Sequence, residues 1–163
     1  MPPQRMRVLS VVERERSSCD ITKSEVIVAA GRGVKNREDL ALIESLAREL
    51  GGALAGSRPL TDDLKWLPMD CKVGLSGQTV RPRLYVACGI SGQIEHMVGA
   101  RPARTIVAIN TDAAAPIHAE ADYSVVGDLY ELLPALIRFL SAERSPSAGH
   151  ALRSREEAKL SRE

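Results

Sequence analysis

The sequence predicts an α/β domain: a mainly parallel sheet covered by helices on both faces. Short runs of small and β-branched apolar residues, Val26–Ala30 and Leu84–Cys88 foremost, read as strands buried on both sides. Between such runs the apolar positions fall into helical spacing, as at Leu40, Ile43, Leu46, Ala47 and Leu50. Turns bearing glycine, serine and asparagine follow the predicted strands, at the carboxyl ends where sheets of this kind bind ligands.

The elements follow in order. Residues 8–12 form a short β-branched run that suits a strand, and residues 14–24 read as a polar connection. Val26–Ala30 is closed by Gly31-Arg32-Gly33. A helix is expected over residues 37–50, with Asn36 as N-cap, Glu38 and Asp39 in the first turn, and Gly51-Gly52 as its stop. Residues 53–57 read as the next strand. Residues 58–77 read as an irregular loop, long enough to be functional or mobile. After Leu84–Cys88, a short helix is expected over residues 91–98, a strand over 105–109 and a last short strand at Tyr123–Val126. Leu129, Leu132, Leu133, Leu136, Ile137 and Leu140 trace a final helix, which Pro134 should kink or delay. Residues 1–25 are thus read as an N-terminal strand and connection, 26–140 as the domain, and 141–163 as a polar tail, disordered or a detached helix.

With 163 residues the chain can bury a core of its own. Aromatics make up 3%, so that core must be Val, Ile, Leu and Ala. A formal net charge of +1 gives no electrostatic case for nucleic acid. No apolar run is long enough to span a bilayer, and Met1-Pro2-Pro3-Gln4-Arg5 leads into nothing resembling a signal peptide, so a cytoplasmic location is the default. Cys19, Cys71 and Cys88 fit no zinc or CxxC spacing and read as reduced structural thiols, Cys88 being buried.

Each ligand-competent turn also has a plain structural reading. In Gly31-Arg32-Gly33, glycines would let backbone approach a ligand and Arg32 could pair with a phosphate, or the segment is only a tight turn. It is neither GxGxxG nor a P-loop. Gly89-Ile90-Ser91-Gly92 could hold a phosphate ahead of a helix, or Ser91 could be that helix's N-cap. Arg58 suits an anion or is a solvated loop charge. His96, alone, is more often a satisfied structural residue. Asn110 and Asp112 flank Thr111 as in ordinary turn chemistry, and Asp128 with Glu131 reads as a helix cap.

Their joint order carries more than any one of them. Val26-Ile27-Val28-Ala29-Ala30-Gly31-Arg32-Gly33-Val34-Lys35, Gly56-Ser57-Arg58, Val73-Gly74-Leu75-Ser76-Gly77 and the run Leu84 to His96 resemble, in sequence, the FAD-holding domain of electron-transfer flavoprotein alpha subunits. The segment Thr105 to Asp112, Ala115-Pro116-Ile117, and Ala121 to Leu129 extend the likeness over residues 26–140. The resemblance implies a Rossmann-like, three-layer fold of the deoxyhypusine-synthase type, with FAD extended across the strand ends. It implies Arg58 against the isoalloxazine, Ser76 and His96 hydrogen-bonded to the ring, and an anionic reduced flavin favoured by the guanidinium and imidazole. Arg32, Ser57 and Ser91 would serve the phosphate and polar parts, and Asn110 and Asp128 the adenosine end. Val73, Gly74, Leu75, Gly92, Gln93, Ile94, Glu95 and Leu129 complete the implied site.

Departures from the family fall near the ring. Leu75 stands where the family has glutamine, Ser76 replaces threonine, Lys72 and Gln78 replace glutamine and lysine, and Glu95 replaces glutamine. A carboxylate at Glu95 turned inward would oppose an anionic flavin. Family members carry another α/β domain ahead of this one, whereas twenty-five residues precede Val26. The expectation is a separately encoded FAD domain or one that has lost its original role. The resemblance implies a beta-subunit-like partner and a flavin dehydrogenase or quinone reductase as redox partner. The chain would be an electron carrier in which no residue need act as acid, base or nucleophile. The alternatives are a non-redox nucleotide-binding or scaffold domain and, more remotely, an NAD-using enzyme of sirtuin type, for which the zinc cysteines are lacking.

Overall fold

A computed structural model describes residues 20–144. Five parallel strands, β1 (Val26–Ala30), β2 (Ala53–Gly56), β3 (Leu84–Cys88), β4 (Ile106–Asn110) and β5 (Tyr123–Val126), form one sheet in the order β2-β1-β3-β4-β5. Strand order reverses between β1 and β3, and a crevice opens there beyond the carboxyl ends. The strand expected at residues 8–12 and the tail beyond Arg144 lie outside the described residues, as does Cys19.

Alternation along the strands builds the three layers. On one face Ile27, Ala29, Tyr85, Ala87 and Ala108 pack beneath α2 (Ile94–Ala100) and α3 (Ile117–Glu120), through Met97 and Ile117. On the other, Val28, Ala30, Val86, Cys88 and Ile109 meet α1 (Leu40–Glu49) and α4 (Leu129–Arg144), through Ile43, Leu46 and Leu133. With so few aromatics, alanine at the strand positions lets the helices sit close. Cys71 and Cys88 are buried, and burial pushes the Cys88 thiol up to about 12, so it is chemically quiet.

Several boundaries differ from expectation for local reasons. The segment from Arg37 begins as a 3-10 turn, Arg37–Asp39, whose Asp39 carboxylate accepts from the Asn36 N–H and amide; the α-helix starts only at Leu40. Gly51 takes φ +67°, and the Gly51 and Gly52 N–H groups reach back to the Arg48 and Ala47 carbonyls, closing α1 in a Schellman turn. The loop over residues 58–77 holds a π-helical turn, Pro59–Asp63, and a 3-10 turn, Met69–Cys71. Helix α2 starts at Ile94 with Gln93 as its N-cap, so Ser91 is not the cap. The two residues before Gln93 are held differently: Gly92 has φ +86°, and the Ser91 carbonyl accepts from the Ile117 N–H. Helix α4 starts at Leu129, with no delay at Pro134, because Asp128 Oδ1 accepts from the Tyr130 N–H at 2.8 Å and fixes the first turn.

Candidate functional site

A cleft of about 750 Å³ lies over the carboxyl ends of β1 to β4, within the size range of small-molecule sites. Its floor is the contact of two turns. The Gly31 N–H donates to the Cys88 carbonyl at 2.8 Å and the Gly33 N–H to the Gly89 carbonyl at 3.0 Å. A Cβ on Gly31 would sit 2.3 Å from the Gly89 oxygen, and one on Gly33 2.7 Å from the Gly89 Cα. These glycines are therefore required by backbone-on-backbone packing, and the N–H groups of Gly31 and Gly33 serve that contact rather than a ligand. Arg32 stands between them, exposed at the cleft.

One wall comes from the end of β2. Ser57 is buried, and its Oγ has no hydrogen-bond partner. Arg58 follows on the π-helical turn with a 70% exposed side chain and Asp62 at 3.9 Å. Lys72 is buried here, its Nζ 3.0 Å from both Asp62 oxygens. The Lys72 ammonium and the Thr61 hydroxyl hold the Asp62 carboxyl below its ordinary value. From Lys72 the chain forms a narrow loop. Val73 N–H donates to the Gly56 carbonyl at 3.0 Å, Gly74 N–H to Gln78 at 3.2 Å, and Leu75 N–H to the Glu95 carbonyl at 2.6 Å. The loop is thus fixed to β2 at one side and α2 at the other. Its tip presents the Leu75 side chain, 70% exposed, and the exposed Ser76.

The opposite wall is α2. His96 is 7% exposed, with Nε2 2.9 Å from the Tyr85 hydroxyl and Nδ1 buried without a partner in ordinary hydrogen-bond geometry. Burial pushes the imidazole down to about 4, and the Val73 backbone carbonyl weakly opposes this. His96 is therefore neutral near pH 7, able to hydrogen-bond but carrying no positive charge. Asn110 is already engaged: its amide donates to the Ile90 carbonyl at 2.8 Å, and its oxygen accepts from the Asp112 N–H at 3.0 Å.

Among the residues singled out from sequence, Arg32, Ser57, Arg58, Val73, Gly74, Leu75, Ser76, Ser91, Gln93, Glu95, His96 and Asn110 line this cleft. Four do not. Gly92 faces α3, where a Cβ would meet the Ile117 nitrogen at 2.2 Å; Ile94 is 65% exposed; Asp128 caps α4; and Leu129 is in the core. Gly33, Pro59, Lys72, Gly89, Ile90, Asp112, Ala115 and Pro116 also line it. Most of these lie inside the motifs quoted above, so the signal was present. Pro59 and Lys72 are the exceptions, and the burial of Lys72 depends on a pairing ten residues back that no periodicity announces.

Comparison with known proteins adds an independent line. Residues 20–101 match the model of the electron transfer flavoprotein FAD-binding domain. The chain is 47% identical over 128 residues to "Protein FixB" of Escherichia coli O139:H28 (strain E24377A / ETEC), covering 78% of this chain and 41% of that protein. It is 46% identical over the same length to the FixB proteins of strains HS and SMS-3-5. The chain thus spans about two fifths of the length of these relatives.

Proposed function

Since the chain belongs to the electron-transfer flavoprotein alpha-subunit family, we propose that its cleft binds FAD and that the chain serves as the flavin-holding part of an electron carrier. The observation that carries this reading is that Arg32, Ser57, Arg58, Ser76, Ser91 and His96, from separate segments of the chain, line one cleft, where the buried Ser57 Oγ has no protein partner. Native interiors seldom leave such an atom unsatisfied, so it fits a polar ligand in the cleft. Arg32 and Arg58 suit a diphosphate and an electron-rich ring.

FAD, when bound, supplies one- or two-electron transfer. The chain's residues bind and orient it. Arg32, Ser57 and Ser91 would take the phosphate and polar chain, and Arg58, Ser76 and His96 the ring. Asn110 would offer what its turn bonds leave free. Asp128 caps α4 through Oδ1, so an adenosine contact would fall to its other oxygen. Leu75, Ile94 and Val98 are exposed apolar side chains grouped where the loop meets α2. That group supports a beta-subunit-like partner over the ring, with a flavin dehydrogenase or quinone reductase beyond it. Among the described residues no helix is long and apolar enough to cross a membrane.

The test is a visible spectrum of the purified chain before and after added FAD, followed by gel filtration. Retained flavin absorbance, displaced only weakly by ADP, is the expected result. Tight ADP binding with no retained flavin would favour a non-redox nucleotide-binding domain instead.

A further inference from the structure

Tyr85 is fully buried under α2, on the sheet face it shares with Ile27, Ala29 and Ala87. Burial pushes its phenol above the ordinary value, so it stays protonated. A buried O–H must donate, because an unsatisfied donor forfeits its hydration without return. The acceptor the structure gives it is His96 Nε2, at 2.9 Å. A neutral imidazole has one acceptor nitrogen and one N–H. If Nε2 accepts, the proton is on Nδ1.

Resting on the FAD reading above, we propose that Tyr85 is a positioning residue for His96: its hydroxyl fixes the imidazole as the Nδ1–H tautomer, giving the flavin site an uncharged hydrogen-bond donor. The reverse arrangement, Nε2–H donating to the phenol, would leave the Tyr85 proton unsatisfied in the core. It would also leave Nδ1 as an acceptor, which repels the carbonyl oxygens of a flavin ring. Tyr85 makes no contact with the cofactor in this scheme; it acts through His96 alone.

The test uses the full chain labelled with 15N-histidine, free of cofactor, with His96 assigned against His118 and His150 by the His96→Gln spectrum. Nitrogen chemical shifts report the tautomer directly. The expected result is Nδ1–H in the unmodified chain and a shift toward the other tautomer in Tyr85→Phe. The same substitution should weaken FAD binding about tenfold, the worth of one hydrogen bond. An Nε2–H tautomer in the unmodified chain overturns the proposal. So does a Tyr85→Phe protein that is merely less stable, with tautomer and FAD affinity unchanged. Because the first measurement needs no variant at Tyr85, misfolding of Tyr85→Phe does not shield the idea. Failure of the unmodified chain to take FAD would count against the proposed function, while its cofactor-free tautomer still decides whether Tyr85 controls His96.

Discussion

The nitrogen of Gly74 lies 2.4 Å from where a Cβ on Gly99 would sit. Helix α2 and the loop carrying Leu75 and Ser76 are in backbone contact there, and the Gly99 carbonyl also accepts from the Val80 N–H at 2.9 Å. By helix propensity alone, Gly99→Ala should stabilise by up to about 1 kcal/mol. The contact reverses the sign, because rigid backbone must give way and overpacking costs about 1–3 kcal/mol. The expected outcome is a lower melting temperature together with weaker FAD binding, since the loop that would face the ring moves off α2. Gly51→Ala is the contrast: no atom lies within 4 Å of its Cβ, so only the strain of φ +67° is felt and binding should hold. Equal FAD affinity in both variants would show that the loop's seat on α2 is unimportant.

Arg58 carries the one prediction about potential. Its side chain is 70% exposed and only loosely paired with Asp62 at 3.9 Å, so its charge is available to a ligand but screened. Arg58→Ala should lower the reduction potential of bound FAD, because a cation favouring the reduced form is lost. The effect should be on the order of 1 kcal/mol and shrink as salt rises. Spectroelectrochemistry at low and high ionic strength measures it. A potential unchanged or raised would separate Arg58 from the ring.

Much of the sheet could be read from the sequence because its strands are buried on both faces, and Val26–Ala30 and Leu84–Cys88 are unbroken apolar runs. Helix starts were harder to read. Ser91 has the chemistry of a cap, but Gly92 at φ +86° diverts the chain to meet Ile117, a contact twenty-five residues away that local preference cannot encode. The short helix Ile117–Glu120 went unread, since four residues give no period. At the site, quoted motifs located most of the cleft. What they could not tell was which groups were already occupied: the Gly31 and Gly33 amides by β3's turn, Asn110 by Ile90, and Lys72 by Asp62.

That last pair gives a prediction of its own. Lys72 is 4% exposed at its side chain and holds both Asp62 oxygens at 3.0 Å. Asp62→Asn leaves a buried ammonium without its counter-charge, which costs more than the pair contributes when intact. The expected outcome is a clear drop in melting temperature and a loosened loop, read as weaker FAD binding. In the double variant Asp62→Asn, Lys72→Met the stranded charge is gone, so most of the stability should return. If the double variant were less stable than Asp62→Asn alone, the ion pair would be a net stabiliser and the desolvation argument would fail.

Acid sensitivity follows from His96. Burial pushes its imidazole from 6.5 down to about 4, while the unfolded chain keeps the ordinary value. Between these values the unfolded chain binds a proton that the folded chain excludes, so folding loses stability as pH falls. The loss begins near pH 6.5, grows to about 3 kcal/mol and levels off near pH 4, where the folded form protonates too. Above pH 6.5 both forms are neutral and the contribution is flat. The carboxyls held low by partners, Asp62 beside Lys72, Glu120 beside Arg101, Asp39 beside Tyr130 and Asp20 beside Thr22, act in the same direction, starting as pH falls into the ordinary carboxyl range. The interval between pH 6.5 and about 5.5 therefore isolates the histidine. Urea unfolding of the cofactor-free chain across that interval should show the decline, and His96→Gln, which cannot take up a proton, should flatten it. A decline equally steep in His96→Gln would mean that some other group is excluded from protonation, and that His96 is more hydrated than its place against Tyr85 implies.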